Sequence, residues 1–318
     1  MSEKQNKLNS QLLLFDCMTH KIQIVKAPSI LGLKPSGVEG LPQSLLDKGL
    51  TNKINSTPET IEVSHLNHDY RRERDPESGC LNPASIHRFS VALMQTLREQ
   101  LRKEIFPLVL GGDCSILLGI MPALKISGHY GLIFMDAHSD FYLPHQSTTG
   151  EVADMDLSII TGRGPEVLTN IQDLAPYIED EKVIHVGQRD AEEVRHYGGQ
   201  EISEAEITTF DLAKIRAAGV KKITAEIITI MNNLSLDGFW IHFDTDVISD
   251  DENPAVDYRL PGGLTFAEAG YMLNQLYRTG KIKGMDVTIF NPDLDKDGVI
   301  AERIVGCIAK SFDTKSVY

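Results

Sequence analysis

The chain has 318 residues, 42% of them hydrophobic and 24% charged, with a formal net charge of −14, enough apolar material to bury a substantial core. The acidic excess excludes a nucleic-acid surface, because phosphate binding needs clustered Lys and Arg, and the one basic cluster, Arg71, Arg72 and Arg74, is interrupted by Glu73 and reads as a solvated loop. No apolar run reaches the ~18 residues of a membrane span, and Met1 to Ser10 lack the apolar core of a secretory signal, so the expectation is a cytoplasmic protein with no membrane partner.

Taken in chain order, the apolar, β-branched runs Phe106 to Leu110, Gly131 to Met135, Val183 to Val186 and Phe239 to Phe243 are too short for helices and read as buried parallel strands. Helical patterns lie before and between them, over Ser90 to Lys103 and Ile207 to Asn232. A later helix starts at Thr265, where Glu268 completes a capping box, and runs to Tyr277 with Gly280 as its stop. A last helix spans about Gly298 to Ser311. This alternation predicts a doubly wound, mostly parallel α/β sheet with helices on both faces. No repeat or linker divides the chain, so residues 1–318 are expected to form one domain, with 1–10 as a flexible arm. The four cysteines, Cys17, Cys80, Cys114 and Cys307, are widely spaced, without a CxxC pair, and are expected to be reduced.

Three polar motifs directly follow predicted strands: GGDCS at Gly111 to Ser115, DAHSD at Asp136 to Asp140, and DTD at Asp244 to Asp246. Ligand sites of open α/β sheets lie at the carboxyl ends of the strands, so the three motifs are expected to meet on one rim. If the chain stays extended there, Asp136, His138 and Asp140 share one direction and Asp244 and Asp246 another. Four aspartates brought together in a partly dry cleft repel one another unless protonated or neutralised by cations, and hard divalent metals are the usual remedy. Each motif alone has a plainer reading: the glycines of GGDCS as a tight turn, Asp113 as a helix cap, Cys114 as a small core residue, and the acids as turn formers. Their combination favours a metal site that takes two ions.

At these residues the sequence resembles the ureohydrolase family of arginase, agmatinase, formimidoylglutamase and guanidinobutyrase, whose signatures have the forms GGDHS, DAHxD and SxDxD followed by PGG. Here they read GGDCS, DAHSD, and HFDTD followed by Pro261, Gly262 and Gly263. The likeness extends to Gly37–Leu50, to Gly187–Tyr197 (GQRDAEEVRHY) and to Asp286–Pro292 (DVTIFNP). It implies an arginase-like three-layer fold, C–N bond hydrolysis of a small-molecule substrate, and a homotrimer or homohexamer. It also implies two divalent ions, manganese in relatives, one held by Cys114, Asp136, Asp140 and Asp244 and the other by His138, Asp136, Asp244 and Asp246.

The pattern departs from the family at four places. Cys114 stands where the family has a histidine ligand, and a thiolate suits zinc, iron, cobalt or nickel better than manganese. Ile289 stands at the glutamate that grips a substrate guanidinium, which argues against arginine. Ala153 stands at the proton-shuttling histidine, leaving Asp154, Glu151 or His145 as candidates for acid–base work, with Asp140 beside them in the catalytic set. Tyr142, Glu151 and Glu192 stand at substrate-recognition positions where arginases carry shorter polar or acidic groups. His138 is the one histidine in a ligand motif; His20, His65, His68, His87, His129, His185, His196 and His242 are given structural places, and His145 either shuttles protons or faces solvent. The expectation is a binuclear hydrolase of linear C–N bonds with a neutral or weakly basic reacting centre. An arginase or agmatinase with altered contacts and a non-catalytic family member are its alternatives.

Overall fold

The computed structural model describes residues 21–103 and 105–313. Cys17, His20 and the arm at 1–10 lie outside them.

Among the described residues, eight strands form one parallel sheet: β1 (Ile22–Ala27), β2 (Ile61–Glu62), β3 (Phe106–Gly111), β4 (Tyr130–Met135), β5 (Val183–Val186), β6 (Thr208–Phe210), β7 (Gly238–Asp244) and β8 (Ile282–Thr288). Their spatial order is β2-β1-β3-β8-β7-β4-β5-β6. The four strands read from apolar runs are β3, β4, β5 and β7, and the doubly wound α/β expectation agrees with the sheet and its helices.

Alternation along each strand divides the core in two. Ile22, Ile24, Leu108, Leu110, Ile133, Met135, Ile241, Phe243, Met285 and Val287 pack on one face. There they meet apolar residues of the helices Leu41–Asp47, Val220–Asn233, Phe266–Tyr277 and Val299–Ser311. Val25, Val109, Leu132, Phe134 and Trp240 pack on the other, against helices Pro83–Arg102 and Leu117–Ser127. On this second face the apolar column gives way to polar groups toward the carboxyl ends: Phe134 is followed by Asp136, Trp240 by His242 and Asp244, and Gly284 by Asp286 and Thr288. Register places His242 between Phe134 of β4 and Asp286 of β8.

Two helices differ from the sequence reading. The one read from Ser90 starts at Pro83, where Asn82 (φ +53) turns the chain and proline at the first helical position fits. The continuous helix read over Ile207–Asn232 is three elements: the edge strand β6, a helix Leu212–Ala218 capped by Asp211, and a helix Val220–Asn233. Gly219, at φ +86, breaks the pair while the apolar spacing runs on, so periodicity alone cannot register the stop. The helix Phe266–Tyr277 carries both arms of the expected capping box. None of the described helices is long and apolar enough to cross a membrane.

Candidate metal centre and cavity

The three motifs meet above β3, β4 and β7. After β3, the chain turns through Gly111–Gly112; a side chain at Gly112 would collide with the Ser29 carbonyl, its Cβ lying 1.8 Å from that oxygen. Asp113 then accepts the Ser115 N–H at 2.9 Å, capping the short turn that carries Cys114. DAHSD does not remain extended. The Asp136 carboxylate accepts the His138 N–H at 2.6 Å, and Asp140 sits at φ +44. DTD turns likewise, Asp244 accepting the Asp246 N–H at 2.7 Å. The acids therefore converge through side-chain-capped turns rather than through alternation along a strand.

Among the described residues, three groups of donors lie close enough to hold an ion: Cys114, Asp136, His242 and Asp244; Cys114, Asp140 and Asp156; and Asp136, His138 and Asp246, the atoms of each group lying within 4.8 Å of one another. The six residues expected from the sequence as ligands, Cys114, Asp136, His138, Asp140, Asp244 and Asp246, all fall within these groups. Their grouping differs from that implied by the resemblance: Asp136 is shared by two groups, Asp244 belongs to one, and Asp140 joins Cys114 through Asp156 rather than through Asp136 and Asp244.

Without a bound cation the electrostatics are unfavourable. Burial, with Asp246 next, raises the Asp136 carboxyl to about 6. Burial and neighbouring aspartates raise Asp140, Asp156 and Asp244 well above the usual range. Burial also raises the Cys114 thiol, and the thiol donates to Asp244 Oδ2 at 2.9 Å. Burial alone would lower His138, but Asp246, 2.8 Å from its Nδ1, holds it as a cation and is itself depressed by it. One Asp136 oxygen, both Asp156 oxygens and His242 Nε2 are buried without a hydrogen-bond partner. Buried polar atoms left unpaired beside a thiol and carboxylates are the environment that a divalent cation relieves, so the residues fit the metal pair that the family implies.

A cavity of about 280 Å³ opens over this cluster. Cys114, His138, Asp140, Asp244 and Asp246 line its floor; Tyr142, Glu151, Ala153, Asp154 and Ile289 line its wall. Asp154 is held by the hydroxyls of Ser147 at 2.7 Å and Thr149 at 2.9 Å, and burial, which outweighs these opposing contacts, raises it to about 6. Burial also raises Glu151, although Tyr258 donates to it at 2.7 Å. Two candidates are placed elsewhere. His145 is exposed on the mouth loop and does not line the cavity. Glu192 is exposed too, and Glu193 lines the cavity instead, because one step along the helix Ala191–Tyr197 turns a side chain by about 100°.

Sequence reasoning missed His242, Asp156 and Asp286. His242 sits two residues before Asp244 on β7, so strand alternation was the available signal; Asp156 opens the short helix Asp156–Ile160, and its approach to Asp140 has no sequence signature.

The model of the Arginase family matches residues 33–312. The arginase of Staphylococcus aureus (strain MRSA252) is 30% identical over 306 residues, covering 93% of this chain and 98% of that protein. The chain belongs to the arginase family. In fold it resembles the native structure of the arginase from Bacillus caldovelox (TM-score 0.82, 24% identity, 94% of this chain and all of that one). It also resembles the formimidoylglutamase of Bacillus subtilis (TM-score 0.68, 17% identity, 92% and 86%). Arginase-family members are binuclear-metal-dependent hydrolases of C–N bonds, and this member retains a cluster of potential ligands at the expected place.

Proposed function

We propose that the chain is a binuclear metallohydrolase of linear C–N bonds whose substrate presents a neutral or weakly basic trigonal carbon, such as an amide or amidine. The observation that carries the reading is Ile289, an apolar side chain in the cavity wall beside the donor cluster, at the position where the family's guanidinium-binding acid is expected. A guanidinium there loses a charge-assisted partner, and Ile289 offers only dry contact. When bound, two divalent ions supply Lewis acidity and make water a nucleophile near neutral pH. Cys114, Asp136, His138, Asp140, Asp244 and Asp246 hold them in this reading, with manganese, zinc, iron, cobalt and nickel as candidates.

The chain's own groups supply the rest. Asp154, raised to about 6, changes protonation close to neutrality and takes the acid–base role left by Ala153; its unpaired buried Oδ1 leaves one oxygen free for proton exchange. Tyr142 and Glu151 on the wall orient the substrate. The two-metal protein should release ammonia or amine from some member of a panel of ureas, amidines and amides; two bound metals with no turnover and no binding across the panel would sink the reading.

A second reading, an arginase or agmatinase with shifted contacts, draws support from Glu151, Glu193 and Asp257, acids that line the cavity and suit a cationic substrate. Urea release from arginine or agmatine decides between the two. The assembly in either reading is a cytoplasmic homotrimer or homohexamer, taken from the family, and sedimentation of the purified chain measures its size.

A further inference from the structure

His242 is fully buried on β7, within the sheet rather than on its rim. Its Nδ1 lies 2.6 Å from Asp286 Oδ2, and the other Asp286 oxygen accepts the Trp240 indole N–H at 2.5 Å. The ring is thereby fixed from behind by a carboxylate that is fixed in turn, the arrangement that orients metal-binding histidines. Phe134 packs beside it, the ring centroids 4.6 Å apart. The opposite ring nitrogen, Nε2, has no partner and faces the partnerless oxygen of Asp136 at 3.9 Å. That gap is too long for a hydrogen bond. It lies within the span of two donors on one ion, which with bonds of about 2.0–2.2 Å stand ~3.3 Å apart across a tetrahedral angle and ~4 Å when nearly opposite.

We propose that His242 is a metal ligand, so that Cys114, Asp136, His242 and Asp244 form a deep sulfur, nitrogen and oxygen site whose chemistry differs from that of the outer site at Asp136, His138 and Asp246. The proposal rests on the binuclear reading above and deepens it. Cysteine has removed the imidazole expected at position 114, and His242 returns one from the strand beneath. The deep set suits a borderline metal such as zinc, whereas the outer set lacks sulfur and accepts a harder ion. Asp286 acts as a positioning residue, fixing the ring so that neutral Nε2 presents its lone pair. Binding at the deep site displaces the Cys114 proton to solvent, so uptake there releases a proton that the outer site does not draw from a thiol.

The test uses the full-length protein loaded with zinc, and separately with cobalt(II). Metal content and the sulfur-to-cobalt absorption band are measured for the wild type, His242→Ala, Asp286→Asn and Cys114→Ser. The expected result is two metals per chain in the wild type, one in His242→Ala with its sulfur band lost, and roughly 10- to 100-fold weaker deep-site affinity in Asp286→Asn. Two metals and an unchanged band in His242→Ala overturn the proposal while leaving the binuclear reading intact; no metal in the wild type overturns both. If His242→Ala fails to fold, anomalous diffraction from zinc-loaded wild-type crystals decides. Nε2 at about 2.0–2.1 Å from an ion supports the assignment, and an ion bound without Nε2, with His242 merely ion-paired between Asp136 and Asp286, refutes it.

Discussion

Ile289 combines two features that ordinarily exclude one another: it is β-branched, and its φ is +70. Such a backbone is costly for this side chain and is held here by its N–H bond to the Gly112 carbonyl at 2.9 Å, which ties β8 to the turn carrying Cys114. Ile289→Glu should therefore change chemistry without relocating the backbone. Its expected outcome is at least a tenfold gain, about 1.4 kcal/mol, in calorimetric affinity for arginine or agmatine; no gain would place the determinant of substrate charge elsewhere in the cavity. Asp154→Asn tests the acid–base assignment. With Asp154 near 6 and acting as a base, wild-type kcat/KM should rise as pH passes upward through about 6. The variant should lose roughly 10²- to 10⁴-fold in kcat together with that limb of the profile. The six clustered donors Cys114, Asp136, His138, Asp140, Asp244 and Asp246 were legible because each sits in a motif that follows an apolar strand. His242 was not, since its alternation with Asp244 suits a structural histidine on a buried strand equally well, and its meaning comes from Asp286 on a neighbouring strand 44 residues away.

At the scale of the element, β8 shows how packing supports the cluster. Gly284 lies under the Trp240 ring, and an added Cβ would stand 2.1 Å from the ring's Cζ3. Gly284→Ala should cost about 1–3 kcal/mol in denaturant unfolding and also weaken metal binding, because a displaced Trp240 releases Asp286. Thr265→Ala is the matched control. It removes the cap of the helix Phe266–Tyr277, should cost about 1 kcal/mol, and should leave metal affinity unchanged. Equal effects of the two variants on metal binding would disprove this coupling. Strands β3, β4, β5 and β7 could be read from sequence because a strand buried on both faces is a short continuous apolar run. The three residues of β6 and two of β2 are too few to show a period, and Gly219 splits a helix without interrupting its apolar stripe.

Across the molecule, the acids that converge on the cluster make folding and metal loading one problem. For Asp136, raised from 3.8 to about 6, the folded chain binds the proton more tightly than the unfolded one, so this contribution to stability is full below the unfolded pKa and is lost as pH rises through about 6. The shift corresponds to about 3 kcal/mol, Asp154 has the same sign, and the depressed Asp246 acts in the opposite sense. The Tm of metal-free protein should fall between pH 4 and about 6, while metal-loaded protein should show a smaller decline or none; calorimetry of both forms measures the difference. The spatial order β3-β8-β7 has a further consequence for biosynthesis. Of the described strands, β8 is made last and fits between β3 and β7, so the strand that leads into Cys114 and the strand bearing Asp244 have no shared neighbour until residues 282–288 emerge. A nascent chain can carry every donor atom of the cluster and still be unable to hold them together until β8 has been made.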